Sequence, residues 1–100
     1  MSDKENKPKE QETVFVEPKH GIYSFYSNSV DAMWTPHDVK IKFRELLSIT
    51  ELPDKRILTY EDRAAVVLAW TEAKILSVML LDLIQRYEAK NGEIKLGELP

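Results

Sequence analysis

Residues 64–90, AAVVLAWTEAKILSVMLLDLIQRYEAK, constrain the fold more than any other stretch of the chain. At their start Ala64, Val66, Leu68 and Trp70 share one face of a strand. Ala65, Val67 and Ala69 share the other, so both faces are apolar. Such a strand is usually covered on both sides. The strand predicted over Ile57 to Trp70, with an interruption near Glu61-Asp62, runs straight into a helix. Thr71 is the expected N-cap, and Glu72 suits the positive end of the helix dipole. The helix is expected to run to about Lys90 and to stop at Asn91-Gly92, where glycine accepts a left-handed conformation.

At roughly 100° per residue, Ala73, Ile75, Leu76, Met79, Leu80, Leu83, Ile84 and Tyr87 fall on one arc. That arc is about half the circumference, wider than the roughly 100° that one packing face needs. Val78 and Leu81 lie outside it. One small sheet does not cover so much apolar surface, so a partner chain is expected to. The candidate interaction surface is Ala65, Val67 and Ala69 on the strand with Ile75, Val78, Met79 and Leu81 on the helix.

Upstream, Ile22 to Trp34 reads as a strand, bulged near Ser27-Asn28. Thr35-Pro36-His37-Asp38 reads as a turn, with proline setting the backbone angle. In Val39 to Leu46, Val39, Ile41 and Phe43 point one way and Lys40, Lys42 and Arg44 the other. If the turn joins these strands, Trp34 faces Val39, Ala32 faces Ile41 and Val30 faces Phe43. On the other face Met33 meets Lys40, Asp31 meets Lys42 and Ser29 meets Arg44. A one-residue slip destroys that sorting. Residues 48–56 read as a polar loop with a turn at Pro53-Asp54. Thr13 to Val16 and Glu93 to Leu96 are short β-prone runs.

These elements make an α+β domain: an antiparallel sheet of three or four strands packed against one long C-terminal helix. One hundred residues suffice for one domain, 13–100, behind a disordered polar tail, 1–12. With 43% hydrophobic and 31% charged residues, the chain is ordinary globular material. A net charge of −3 gives no global pull toward nucleic acid or an acidic membrane. The chain has no cysteine, which excludes disulfides, thiolate metal sites and cysteine nucleophiles. The opening MSDKENKPKEQE lacks the apolar core of a signal peptide, and no run is long enough to span a bilayer. A cytoplasmic location is expected.

The chemical candidates are thin. His37-Asp38 could be a base and its orienter, but sequence neighbours tend to point apart. No serine or cysteine nucleophile motif accompanies them. His20 and His37 match no zinc spacing. Lys40, Lys42 and Arg44, with Tyr23, Phe25 and Tyr26, form a conceivable single-strand nucleic-acid platform. Asp31 opposite Lys42 partly neutralises it. Trp34 and Trp70 read as core or interface anchors.

The stretches YSNSVDAMWTPHDVKIKF and AAVVLAWTEAKILSVMLLDLIQRYEAKNGEI resemble a small bacterial family catalogued as domain of unknown function 3467. The matching positions are Asn28, Pro36, Asp38, Phe43, Lys74, Tyr87, Glu88, Gly92 and Ile94, within residues 21–96. Ser48 to Arg63 departs from the pattern. The resemblance implies the fold and no activity. The order of strands and helix is also similar to that of the SecB export chaperone, an analogy of fold that no motif carries. The expectation is a non-enzymatic protein without cofactor or metal: a homo-oligomeric interaction or adaptor module, dimeric or higher, with chaperone-like binding of another protein or a peptide as its extension. Single-strand nucleic-acid binding through Lys40, Lys42 and Arg44 is the alternative.

Overall fold

The computed structural model describes residues 8–97. Three strands and one helix follow in order: β1 (Ser29–Trp34), β2 (Asp38–Glu51), β3 (Arg56–Ala69) and α1 (Trp70–Asn91). The strands form one antiparallel sheet in the order β1-β2-β3. The α+β class is as expected, with three strands. Thr13 to Val16 and Glu93 to Leu96 belong to neither helix nor strand. Of the expected tail, residues 1–7 lie outside the described residues, as do 98–100 of the domain; residues 8–12 have no regular structure.

The first hairpin has the register that its side-chain sorting demands. Trp34 pairs with Val39, Ala32 with Ile41, Val30 with Phe43 and Asp31 with Lys42. The Thr35 amide donates to the Asp38 carbonyl at 2.8 Å. The Thr35 hydroxyl accepts the amides of His37 and Asp38, each at 3.1 Å, and donates to the Asp38 carboxylate at 3.0 Å. Two-residue hairpin loops favour mirror-image turns with positive φ, which proline cannot adopt. No described non-glycine residue has positive φ. The threonine side chain supplies the acceptor that this less favoured turn needs.

β1 starts at Ser29, later than the Ile22 read from composition. Just before it the Asn28 amide still donates to the Arg44 carbonyl at 3.1 Å, and side chains add to the ladder. The Ser27 hydroxyl donates to the Arg44 carbonyl at 2.8 Å, and the Asn28 side-chain oxygen accepts the Leu46 amide at 2.9 Å. Tyr23 and Phe25 stack with ring centroids 6.1 Å apart and lie beside Phe43, Ala64 and Val66.

The expected loop at 48–56 is a correction. β2 continues to Glu51, the chain turns through Leu52-Pro53-Asp54-Lys55, and β3 begins at Arg56. Leu52 and Lys55 exchange backbone hydrogen bonds at 2.8 and 3.4 Å. Ser48, Ile49, Thr50 and Glu51 pair with Thr59, Leu58, Ile57 and Arg56. This end of the hairpin is exposed on both faces, so it carries polar residues where a covered strand would not.

The suspected interruption near Glu61-Asp62 is a bulge. Phe43 pairs with Ala64 and Arg44 with Asp62, which leaves Arg63 as the extra residue. Glu45 and Glu61 face each other in the ladder, an unfavourable like-charge pair. The Arg63 guanidinium reaches Glu45 at 2.8 Å and Glu61 at 2.7 Å and bridges them. A second register shift follows at Leu47.

α1 begins at Trp70, directly after β3, and Ala69 is its N-cap without a side-chain hydrogen bond. Thr71 is therefore inside the first turn, not at the cap. The Trp70 indole N–H donates to the Thr35 carbonyl at 2.8 Å, and the Trp34 and Trp70 rings meet edge to face. The helix ends at Asn91, and Gly92, at φ 90°, sends its amide to the Glu88 carbonyl. The Glu88 carboxylate then accepts the Ile94 amide at 2.8 Å, turning Ile94 back toward the helix.

The helix does not cover the sheet. A 22-residue helix is about 33 Å long and a 14-residue strand about 46 Å. The molecule's longest dimension is 81 Å. No residue of α1 is buried, and its contacts with β2 and β3 are sparse.

Candidate protein-interaction surface

Strand alternation sorts the sheet into two faces. One carries Val30, Ala32 and Trp34 from β1, Val39, Ile41 and Phe43 from β2, and Ala64, Val66 and Leu68 from β3. These nine positions are all apolar; beyond Phe43 the same face continues to Glu45, which Arg63 pairs. The other carries Lys40, Lys42 and Arg44 with Asp31, Asp62, Ala65 and Val67.

The apolar face is incompletely covered: Ile41, Phe43, Ala64 and Leu68 are half-buried, and its edges are open. Val39 is the only buried apolar residue among the described residues, whereas Val30 is 65% and Trp34 72% exposed. Burial of apolar surface is the main force that folds a soluble domain, and here it is nearly absent within one chain. The accessible surface is 9942 Å². A compact monomer of 11.6 kDa exposes roughly 5,800 Å². Part of the surplus belongs to the irregular segment 8–28, which is largely exposed. The radius of gyration, 20.9 Å, compares with roughly 13 Å for a compact chain of 100 residues.

The helix carries two apolar grooves. Ile75, Val78 and Met79 line one with Thr71 and the stem of Lys74, a cavity of about 340 Å³. Leu80, Leu83, Ile84, Tyr87 and the returning Ile94 line the other, about 520 Å³. At 100° per residue the two open on different sides of the helix.

Of the candidate interaction residues, Ile75, Val78 and Met79 come together in the first groove. Leu81 is exposed at another angle around the helix. Ala65 and Val67 pair with Lys42 and Lys40, and Ala69 pairs with Asp38, so these three stand on the charged face. β3 is an edge strand whose Val66 and Val67 are exposed, rather than a strand covered on both sides. The second groove depends on Ile94, whose return is made possible by Gly92. The glycine after a helix is the signal that marks such a turn.

The charged face is partly neutralised by its own carboxylates. Arg44 holds Asp62 at 2.7 Å and reaches Asp31 at 3.4 Å, and Lys42 lies 3.7 Å from Asp62. The Arg44 hydrogen bond, with Lys42 adding its charge, holds the Asp62 carboxyl below its ordinary value. Tyr23 and Phe25 lie against Phe43, Ala64 and Val66, on the face opposite Lys40, Lys42 and Arg44. The sheet therefore separates the aromatic pair from the cations that a single-strand platform would combine with it.

His37 is exposed at the hairpin tip, where its backbone amide bonds Thr35. The Asp38 carboxylate accepts the Thr35 hydroxyl instead of pairing with the imidazole. Among the described residues no cluster of three or more His, Asp or Glu could hold a metal ion. No described helix is long and apolar enough to cross a membrane.

Residues 1–96 match the family described as protein of unknown function, DUF3467. The chain belongs to this family. The match extends beyond 21–96 and takes in the β2–β3 hairpin that departs from the pattern. No curated protein and no solved structure matches the chain. Several of the positions on which the resemblance was read have visible work in the fold. Asn28 caps the start of β1, Pro36 and Asp38 shape the hairpin, and Glu88, Gly92 and Ile94 form the helix terminus.

Proposed function

We propose that the chain is a non-enzymatic, self-associating interaction module that presents its assembled surface to a partner protein or peptide. The observation that carries this reading is the apolar sheet face left incompletely covered beside a helix that has no buried residue. Isolated sheets and helices with such faces are marginal in water and acquire stability by burying them. A second copy supplies the missing cover wherever the chain itself is present. The single-strand nucleic-acid reading has less support, because Asp31 and Asp62 engage Arg44 and Asp62 lies beside Lys42.

Light scattering at micromolar concentration tests the proposal. The expected mass is twice the 11.6 kDa chain or a higher multiple. A folded monomer at that concentration would overturn it. Leu83→Glu, which places a charge on the apolar arc, is expected to shift the mass toward the monomer.

A further inference from the structure

We propose a reciprocal dimer in which α1 of each copy lies across the apolar sheet face of the other, its Leu80–Tyr87 side down. The inference rests on the self-association proposed above and specifies its geometry.

A chain of this connectivity cannot easily cover its own sheet. Covering requires the helix to reverse over the strands, and reversal requires a connecting loop. Ala69 ends β3 and Trp70 begins α1, so there is none. The Trp70 bond to the Thr35 carbonyl further ties the first helical turn to the end of the sheet. The helix is held in the direction that leaves its own sheet bare.

The two bare surfaces suit each other. The roughly 11 Å of helix from Leu80 to Tyr87 matches the roughly 13 Å of strand from Val39 to Phe43. The Leu80, Leu83, Ile84 and Tyr87 side carries no charge, and neither does the stretch of the sheet face from Val39 to Phe43 and from Ala64 to Leu68 that would receive it. The Tyr23–Phe25 pair already raises one wall beside Phe43 and Val66, leaving a groove rather than a flat surface. Helix and sheet face belong to the same chain, so one two-fold rotation satisfies both at once. Stable homodimers commonly bury about 2,000–5,000 Å² in total, or about half that from each chain. The surplus over a compact monomer is roughly 4,100 Å² per chain, part of it belonging to segment 8–28.

The absence of cysteine makes the arrangement directly testable. A tagged Val66→Cys chain is co-expressed with an untagged Leu83→Cys chain and treated with a short bismaleimide. The expected product is the mixed adduct, exceeding both like-with-like adducts several-fold. Val30→Cys with Tyr87→Cys is run in parallel, in case one substitution disturbs folding. Asp54→Cys, at the far hairpin tip, should give no adduct with Leu83→Cys. A dimer by light scattering whose adducts join only Leu83 to Leu83 would overturn this geometry and leave self-association standing. A monomeric mass would remove both.

Discussion

The indole of Trp70 donates its N–H to the carbonyl oxygen of Thr35 across 2.8 Å. The first residue of the helix is thereby fastened to the turn between β1 and β2. Trp70→Phe keeps most of the ring contact with Trp34 and removes only the donor. The expected loss is about 1 kcal/mol, as for a typical single hydrogen bond. Urea denaturation of the variant beside the parent measures it. An unchanged midpoint would mean that the bond does not hold the junction.

Asp62 is the site of a second prediction. Its carboxyl is held below the ordinary value chiefly by the Arg44 hydrogen bond. A group whose folded value is depressed contributes stability that is complete above its unfolded value. That contribution is lost as pH falls through the folded value, so the window lies below about pH 4. Acid titration followed by circular dichroism should show a loss in that range. Asp62→Asn should remove this part of the acid dependence, with a small effect near neutrality because the carboxylate is solvent-screened.

The helix terminus offers a third. Gly92 sits at φ 90° and ψ 167°, a region almost closed to other residues. Gly92→Ala should cost about 1–3 kcal/mol and release Ile94 from its place beside Leu80 and Tyr87. Hydrogen exchange at the Ile94 amide reports the release directly. Glu88→Ala should expose the same amide without backbone strain, since the Glu88 carboxylate is its acceptor. Equal protection in both variants and the parent would show that Ile94 is held by something else.

The charged face supplies a fourth. Lys40→Glu with Lys42→Glu should leave the molecular mass unchanged, because these residues lie on the face opposite the apolar one. Fluorescence anisotropy with a labelled single strand should detect no binding by the parent at low salt. Binding that weakens steeply with salt and disappears in the double variant would favour the nucleic-acid reading instead.

The first hairpin was readable because one face is apolar and the other is not. Val39, Ile41 and Phe43 against Lys40, Lys42 and Arg44 admit a single register, and the structure has it. The second hairpin was harder to read. Ser48, Thr50 and Glu51 resemble a loop because nothing covers that end of the strand pair, and pairing there is sustained by backbone bonds and the Arg56–Glu51 ion pair. The residues of the apolar arc on α1 were visible, but the direction of the helix was not. That direction depends on the junction at Ala69 and on the Trp70–Thr35 bond, a contact between residues far apart in sequence. The separation of Tyr23 and Phe25 from the basic residues was equally hidden, since proximity along the chain says little about which face a segment crosses.

The direct join of β3 to α1 has a consequence for chain length. One residue inserted between Ala69 and Trp70 would turn the helix by about 100° relative to the strand. Moved one position along the strand instead, the same insertion would exchange its two faces. The hairpin tips could absorb such a change, but this junction has no compliant segment. Strand and helix are thus set in torsional phase, and any ligand that altered the twist of the sheet would turn the helix about its own axis.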